Sequence, residues 1–331
     1  MNQSFDIAVV GATGLVGEAL LMALDERDFP VGTLHALAAA DAAGQVAAFR
    51  ERNLRVQPAD GFDFASVSLV FLLEPLPAAQ LARIEAAGCA LVDLAGVLDP
   101  QRAPCVVAEV NPQQAESARW LRSPLPAVVA LASVLGTLRQ VVELRRVTLT
   151  ACLAVSSRGR DGIEELARQT AQLLNARPVE PQLFDRQIAF NLLARASAEL
   201  PDGHARDERR LAGELGEVLG EPTLPVAATC VQAPVFFGDS LAVSLLCAEP
   251  VDLAVVRHCL DDAEELELVE QGDYPTAVGD ALGQDLVYVG RLRAGQLDPC
   301  ELNLWIASDN VRKGSALNAV RLAELLLKHT L

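Results

Sequence analysis

Three glycines spaced as GxxGxxG, Gly11, Gly14 and Gly17, stand between an apolar β-branched run and an amphipathic stretch, and that placement suits a phosphate cradle. The first glycines allow a tight turn and the third lets a helix pack close. Backbone N–H groups of Thr13, Gly14, Leu15 and Val16 at the helix start would then face a pyrophosphate, with the helix dipole adding to the attraction. A plain tight turn is the other reading. Asp41 follows the second apolar run, where a carboxylate can accept hydrogen bonds from an adenosine ribose and exclude a 2′-phosphate, favouring NAD over NADP. An exposed loop aspartate fits the same position.

Other reactive groups are sparse. Seven cysteines (Cys89, Cys105, Cys152, Cys230, Cys247, Cys259 and Cys300) lie far apart, with no CxxC pair and no zinc spacing, so no metal site is expected and reduced, buried thiols are the default. Only four histidines, His35, His204, His258 and His329, could serve as a general base.

The elements that must position these residues follow from periodicity. Asp6–Val10 is β-branched without a helical period, as in a buried parallel strand, and the stretch from Leu15 repeats its apolar residues at three and four. Runs at Leu34–Ala38, Val67–Leu72 and Ala90–Asp93, with a helix at Ala78–Ala87, continue an alternation that implies a doubly wound parallel sheet. Beyond Arg146 the pattern changes to longer strands at Val147–Val155, Val226–Val235 and Ala242–Leu246, with helices at Asp161–Leu174 and Asp207–Leu219, as in an α+β domain. A last helix, Lys313–Lys328, is expected to pack back on the first domain.

A chain of 331 residues favours two domains, and 51% hydrophobic against 21% charged residues gives a folded chain. A net charge of −17 repels phosphate backbones and anionic lipid, which argues against nucleic acid or membrane partners. The apolar stretch Ser123–Leu138 is too short to span a bilayer and holds Pro124, Pro126 and Gly136, so it reads as a buried core segment. Met1–Phe5 lacks the regions of a signal peptide, so a cytoplasmic protein is expected.

The opening Gly11-Ala12-Thr13-Gly14-Leu15-Val16-Gly17, the segment Ala108-Glu109-Val110-Asn111-Pro112, and above all the string from Asp309 through Asn310, Lys313 and Gly314 to Ala319 resemble the aspartate-semialdehyde dehydrogenase family. Ile188-Ala189-Phe190-Asn191 and Ala228-Thr229-Cys230-Val231 extend the likeness over essentially the whole chain. The resemblance implies a Rossmann-type dinucleotide-binding domain over residues 1–130 with 311–331, an α+β dimerisation domain over 131–310, a homodimer, and cofactor contacts at the glycine turn and Asn310. Family members reduce an acyl phosphate to an aldehyde with NADPH through a cysteine thioester, assisted by a histidine.

This chain departs from the family where that chemistry resides. The Asn-Pro-Asn-Cys motif at the start of a core helix reads Ser123-Pro124-Leu125-Pro126-Ala127, and proline can neither ionise nor attack a carbonyl. Asp239 replaces the histidine after the Pro234-Val235 strand, Leu153 a glutamine, Gln232 a carboxylate-holding arginine, and Leu98-Asp99 a phosphate-holding Phe-Arg pair. A small turn near the family's nicotinamide has become Leu73-Glu74-Pro75, and Glu74 is expected to disfavour the pyrophosphate. Cys152 lies beside Leu153 but points to the other face of its strand, and Asp207 and Arg210 are expected to form a solvated ion pair. No catalytic residue is therefore expected. The expectation is a protein without dehydrogenase activity, binding NAD or NADP weakly with NAD favoured, and having a regulatory or interaction role. The alternative is an NAD(P)-dependent oxidoreductase of amino-acid biosynthesis with another substrate or a non-thiol mechanism.

Overall fold

A computed structural model of the chain describes residues 4–38 and 44–329. It divides into two compact units, with boundaries at Pro124/Leu125 and Gly314/Ser315. Ile7 to Val10 are completely buried, as a strand covered on both faces must be, and they form the end of β1 (Phe5–Val10). The glycine turn leads into α1 (Leu15–Glu26), which buries Leu20, Leu21, Ala23 and Leu24. There follow β2 (Val31–Ala38), a small antiparallel ribbon of β3 (Val46–Phe49) and β4 (Arg52–Arg55), β5 (Gln57–Pro58) and β6 (Leu69–Leu72). Helix α2 (Ala78–Ala87) ends at Gly88, whose φ of +74° supplies a left-handed stop, before β7 (Ala90–Asp93) and β8 (Trp120–Arg122).

The second unit contains α3 (Pro126–Leu138), β9 (Leu144–Leu153), α4 (Gly159–Leu174), α5 (Arg206–Leu219), β10 (Val226–Gln232), β11 (Asp239–Cys247), α6 (Leu253–Asp261), β12 (Leu266–Leu268), β13 (Val287–Ala294) and β14 (Glu301–Ser308). The chain ends in α7 (Asn318–His329). Among the described residues no helix is long and apolar enough to cross a membrane.

In the first unit the sheet order is β5-β2-β1-β6-β7-β8, parallel throughout. The chain builds outward from β1 in one direction and then from β6 in the other. That reversal opens a crevice at the carboxyl ends of β1 and β6, where ligands bind in such sheets. One face of the sheet shares a core with α1 and with Ala319, Val320, Leu322, Ala323 and Leu326 of the last helix. Asn318 anchors that helix: its Oδ1 accepts from Ala108 N at 3.1 Å, and its Nδ2 donates to Val106 O at 3.2 Å and Ser123 Oγ at 2.8 Å.

The second unit is a mixed sheet of order β10-β9-β11-β14-β13-β12. Its inner face carries Val147, Leu149, Ala151, Leu241, Val243, Leu245, Leu302, Leu304 and Ile306, all buried, and α3 packs against β11, β13 and β14 there. The apolar stretch expected as a core segment is this helix, apolar all round because it is enclosed on every side. The fold is thus a Rossmann-type doubly wound sheet plus a mixed α/β unit.

Some boundaries differ from expectation. The unit limits fall at 124/125 and 314/315 rather than at 130/131 and 310/311, because α3 starts at Pro126 and belongs whole to the second sheet. Asp309 accepts from Gly283 N at 2.8 Å and Lys313 Nζ reaches Glu265 at 2.8 Å, which keeps 309–314 with that unit too. The expected helix 313–328 is a π-helical turn at Arg312–Leu317 followed by α7. Strands β13 and β14 were not anticipated, although Leu302, Leu304 and Ile306 alternate as a half-buried strand should.

Replacing Asn318 by alanine would strip partners from the N–H of Ala108 and the carbonyl of Val106. Each buried group so orphaned costs about 1–3 kcal/mol, and urea denaturation of Asn318→Ala should show a loss of that order.

Candidate functional site

Each unit presents its own candidate cluster. In the first, Gly11 has φ +88° and its N–H donates to Leu37 O at 2.8 Å, so the turn begins while still bonded to β2. Gly14 is the N-cap of α1 and has no side chain of its own with which to cap it. A Cβ on Gly17 would lie 2.3 Å from Gly11 O and 2.6 Å from the carbonyl carbon of Ala12, so only glycine lets this helix pack against its own entry turn. Thr13, Leu15 and Val16 are half-buried around the helix start. The backbone of a phosphate cradle is therefore present.

The side chain above it does not suit a phosphate. Leu73 N donates to Val10 O at 3.0 Å, which holds the segment after β6 against the end of β1. Glu74 then extends over the turn: a Cβ on Gly11 would meet Glu74 Cγ at 2.8 Å and Cδ at 3.0 Å. The turn has the backbone of a phosphate cradle, and Glu74 brings an acidic side chain beside its first glycine. Asp41 lies outside the described residues. Asp99 is exposed and accepts from Gln101 N at 2.9 Å, while Leu98 is buried.

In the second unit strand register gathers a row of side chains. Gln232 of β10 stands beside Leu153 of β9, Asp239 of β11 is opposite Ser308 of β14, and the Cys152–Ser240 pair places Leu153 and Asp239 one step further along. Directly opposed residues project to the same side of a sheet. All four are buried. Gln232 Nε2 donates to Leu153 O at 2.8 Å, whereas Gln232 Oε1 and Ser308 Oγ have no hydrogen-bond partner among the described residues. Asp239 Oδ1 accepts from Ala154 N at 2.9 Å. Burial pushes its carboxyl up to about 7; the Ala154 N–H partly opposes this and the neighbouring Asp309 adds to it.

Asn310 is buried close by. Its Oδ1 accepts from Gly238 N at 2.9 Å and its Nδ2 donates to Ser156 Oγ at 3.0 Å, so its amide fixes the turn before β11. Cys152 adjoins Leu153 but faces the other side of the sheet, and its thiol is pushed up by burial first and by Asp239 second. The Cys230 thiol is pushed up to about 12, chiefly by burial. Neither resembles the depressed thiol of a nucleophile.

Pro126 is the first residue of α3, where its fixed φ and missing N–H suit the helix start. It packs against Gly314, where a Cβ would come within 2.6 Å of Pro126 Cβ. The N–H of Leu125 donates to Glu214 Oε2 at 2.8 Å, so a carboxylate of this chain meets the end of the helix that attracts anions. Arg210 Nε donates to Glu214 Oε1 at 2.6 Å. This corrects the expected Asp207–Arg210 pair: arginine reaches one turn forward along α5, and Asp207 N instead donates to Ser197 Oγ at 2.9 Å. Glu214 was missed in the sequence. Its i,i+4 spacing from Arg210 was a legible signal, but its reach to Leu125 across 89 residues was not.

A family model described as "Semialdehyde dehydrogenase, NAD binding domain" matches residues 6–118, and one described as "Semialdehyde dehydrogenase, dimerisation domain" matches residues 135–313. The chain is 56% identical to the USG-1 protein homolog of Pseudomonas aeruginosa over 336 residues, covering 100% of both. It is 36% identical to aspartate-semialdehyde dehydrogenase 2 of Vibrio cholerae over 334 residues, covering 99% of both. The structure of a probable aspartate-semialdehyde dehydrogenase from Pseudomonas aeruginosa superposes with a TM-score of 0.94 at 56% identity, covering 99% of this chain and 100% of that one. Matched along both of its units and aligned with relatives end to end, the chain belongs to the semialdehyde dehydrogenase family.

Proposed function

We propose that this member of the family has no dehydrogenase activity and acts in a regulatory or interaction role. The carrying observation is the buried row Gln232, Leu153, Asp239 and Ser308, in which the one ionisable group is a carboxylate. The resemblance aligns a thiol with Pro126 and a histidine with Asp239. A proline cannot form a thioester, and a carboxyl held by Ala154 N is not an imidazole base. Gln232 carries no charge with which to hold a substrate carboxylate. Dinucleotide binding, if retained through Gly11, Thr13, Gly14, Leu15 and Val16, is weak, with the preference for NAD resting on Asp41. The amide of Asn310, spent on Gly238 and Ser156, contributes to such a site through the backbone it holds. An expectation of no nucleic acid or membrane partners belongs to the same reading and rests on the charge of −17, and a cytoplasmic location is proposed with it.

The proposed assembly is a homodimer. The outer face of the second sheet exposes Thr148, Thr150, Thr229 and Ala242 and half-exposes Ser240, Ser244, Asn303 and Trp305. Around Trp305 these side chains are small and uncharged, with Glu301 at the edge accepting from Ser244 Oγ at 3.0 Å and Asn303 Nδ2 at 2.8 Å, and a centre so poor in charge on so acidic a chain suits an interface core. A second reading, an oxidoreductase working without a thiol, is favoured by one fact. The Asp239 carboxyl at about 7 is poised for proton transfer at neutral pH.

Purified protein should not turn over aspartate semialdehyde and phosphate with NAD or NADP above background, since losing one member of a nucleophile and base unit costs on the order of a millionfold. Pro126→Cys with Asp239→His should not restore it, because the anion clamps would still be lacking. Turnover in the wild type would refute the inactive reading, and its survival in Cys152→Ala would favour the second reading over a thiol mechanism.

Sedimentation at micromolar concentration should give a dimer, and Ala242→Arg, at the centre of the uncharged face, a monomer. A monomeric wild type would remove the assembly.

Asp239 also imposes a pH dependence. Its folded value of about 7 lies above the ordinary 3.8, so from about pH 4 to pH 7 the unfolded chain releases a proton that the folded chain keeps, and stability falls as pH rises. Asp239→Asn keeps an acceptor for Ala154 N and cannot ionise. Its stability relative to wild type should therefore rise between pH 4.5 and pH 8, and a difference independent of pH would refute this account.

A further inference from the structure

We propose that Glu74 is a built-in occupant of the dinucleotide crevice, a specificity residue that turns phosphate-bearing ligands away from the glycine turn. The proposal rests on the dinucleotide reading above and names the residue that limits it.

The placement follows from topology. Strands β1 and β6 are neighbours with Val10 opposite Leu72, so the first residues after each emerge side by side at the point where the strand order reverses. After β1 the chain turns through Gly11; after β6 it runs through Leu73 and Glu74. The Leu73 N–H to Val10 O bond continues the ladder past the end of β6 and fixes their separation. Pro75 acts from the other side, because a residue preceding proline is confined to extended backbone. Glu74 is therefore restrained on both sides.

The consequence is steric and electrostatic together. A pyrophosphate on such a turn needs bare backbone, which is the physical reason for its glycines. Here a Cβ on Gly11 would meet Glu74 Cγ at 2.8 Å, Glu74 Cδ at 3.0 Å and Leu73 Cβ at 3.2 Å, so the Glu74 side chain lies against the first glycine of the turn. The group in that space ends in a carboxylate, which repels a phosphate at contact distance and interacts favourably with the positive end of α1. The family geometry is thus retained while the chain's own anion competes for the phosphate position. Adenosine, which has no phosphate, should be indifferent to Glu74.

The test is calorimetric titration of the full-length protein with NAD, NADP and adenosine at one fixed salt concentration, comparing wild type, Glu74→Ala and Glu74→Gln. We expect Kd for the dinucleotides to fall at least tenfold in Glu74→Ala. A smaller fall is expected in Glu74→Gln, which removes the charge and keeps the bulk, with adenosine unchanged throughout. Glu74→Gln also serves if the alanine variant folds poorly. Equal dinucleotide affinity in wild type and variants, or an equal gain for adenosine, would overturn the role of Glu74 and leave the dinucleotide reading intact. Absence of binding in all three proteins, each with a native melting transition, would overturn both.

Discussion

A carboxylate buried at the end of a sheet, next to another carboxylate and held by a single backbone N–H, is the constraint on which the chemistry of the second unit turns. Asp239 cannot be moved without disturbing four strands, because its neighbours in the row are set by register and its acceptor oxygen ties β11 to the chain leaving β9. Burial keeps its proton on until about pH 7, so near neutrality it is as much a hydrogen-bond donor as an acceptor. A site built around such a group is suited to polar recognition or proton exchange. It does not supply a thiolate.

The first unit shows the same separation of framework from chemistry. Gly17 against Gly11 and Ala12 is a packing requirement of the helix entry, so the turn persists whether or not a phosphate ever occupies it. What lies above it is free to change, because Glu74 is in the loop after β6 and not in the sheet. Likewise Pro126 preserves the start of α3, and Glu214 supplies an anion to the helix end from within the chain. In the second unit carboxylates of the protein accept from backbone N–H groups, Asp239 from Ala154 and Glu214 from Leu125, and in the first Glu74 lies beside the glycine turn.

Family membership and inactivity are thus compatible. Folds survive because cores and turns do, whereas activity resides in a few side chains grafted on them. On the proposed reading those side chains differ here at several positions at once, at Pro126, Asp239, Leu153 and Gln232, and restoring two of them is not expected to restore turnover.

The sequence alone determined the parallel sheet, the glycine turn with its helix, and the identity of the residues at Pro126, Asp239 and Glu74, because periodicity, turn chemistry and residue identity are local properties. Strands β13 and β14 were legible in the alternation of Leu302, Leu304 and Ile306 and were overlooked. The i,i+4 spacing of Arg210 and Glu214 was legible, but the reach of the same carboxylate to the N–H of Leu125, 89 residues away, was not. Only the tertiary structure decided which residues share the row with Asp239, because cross-strand register is set by pairing between distant segments. It also decided how far Asp239 is desolvated and how closely Glu74 approaches Gly11, since both depend on atoms that packing alone brings together.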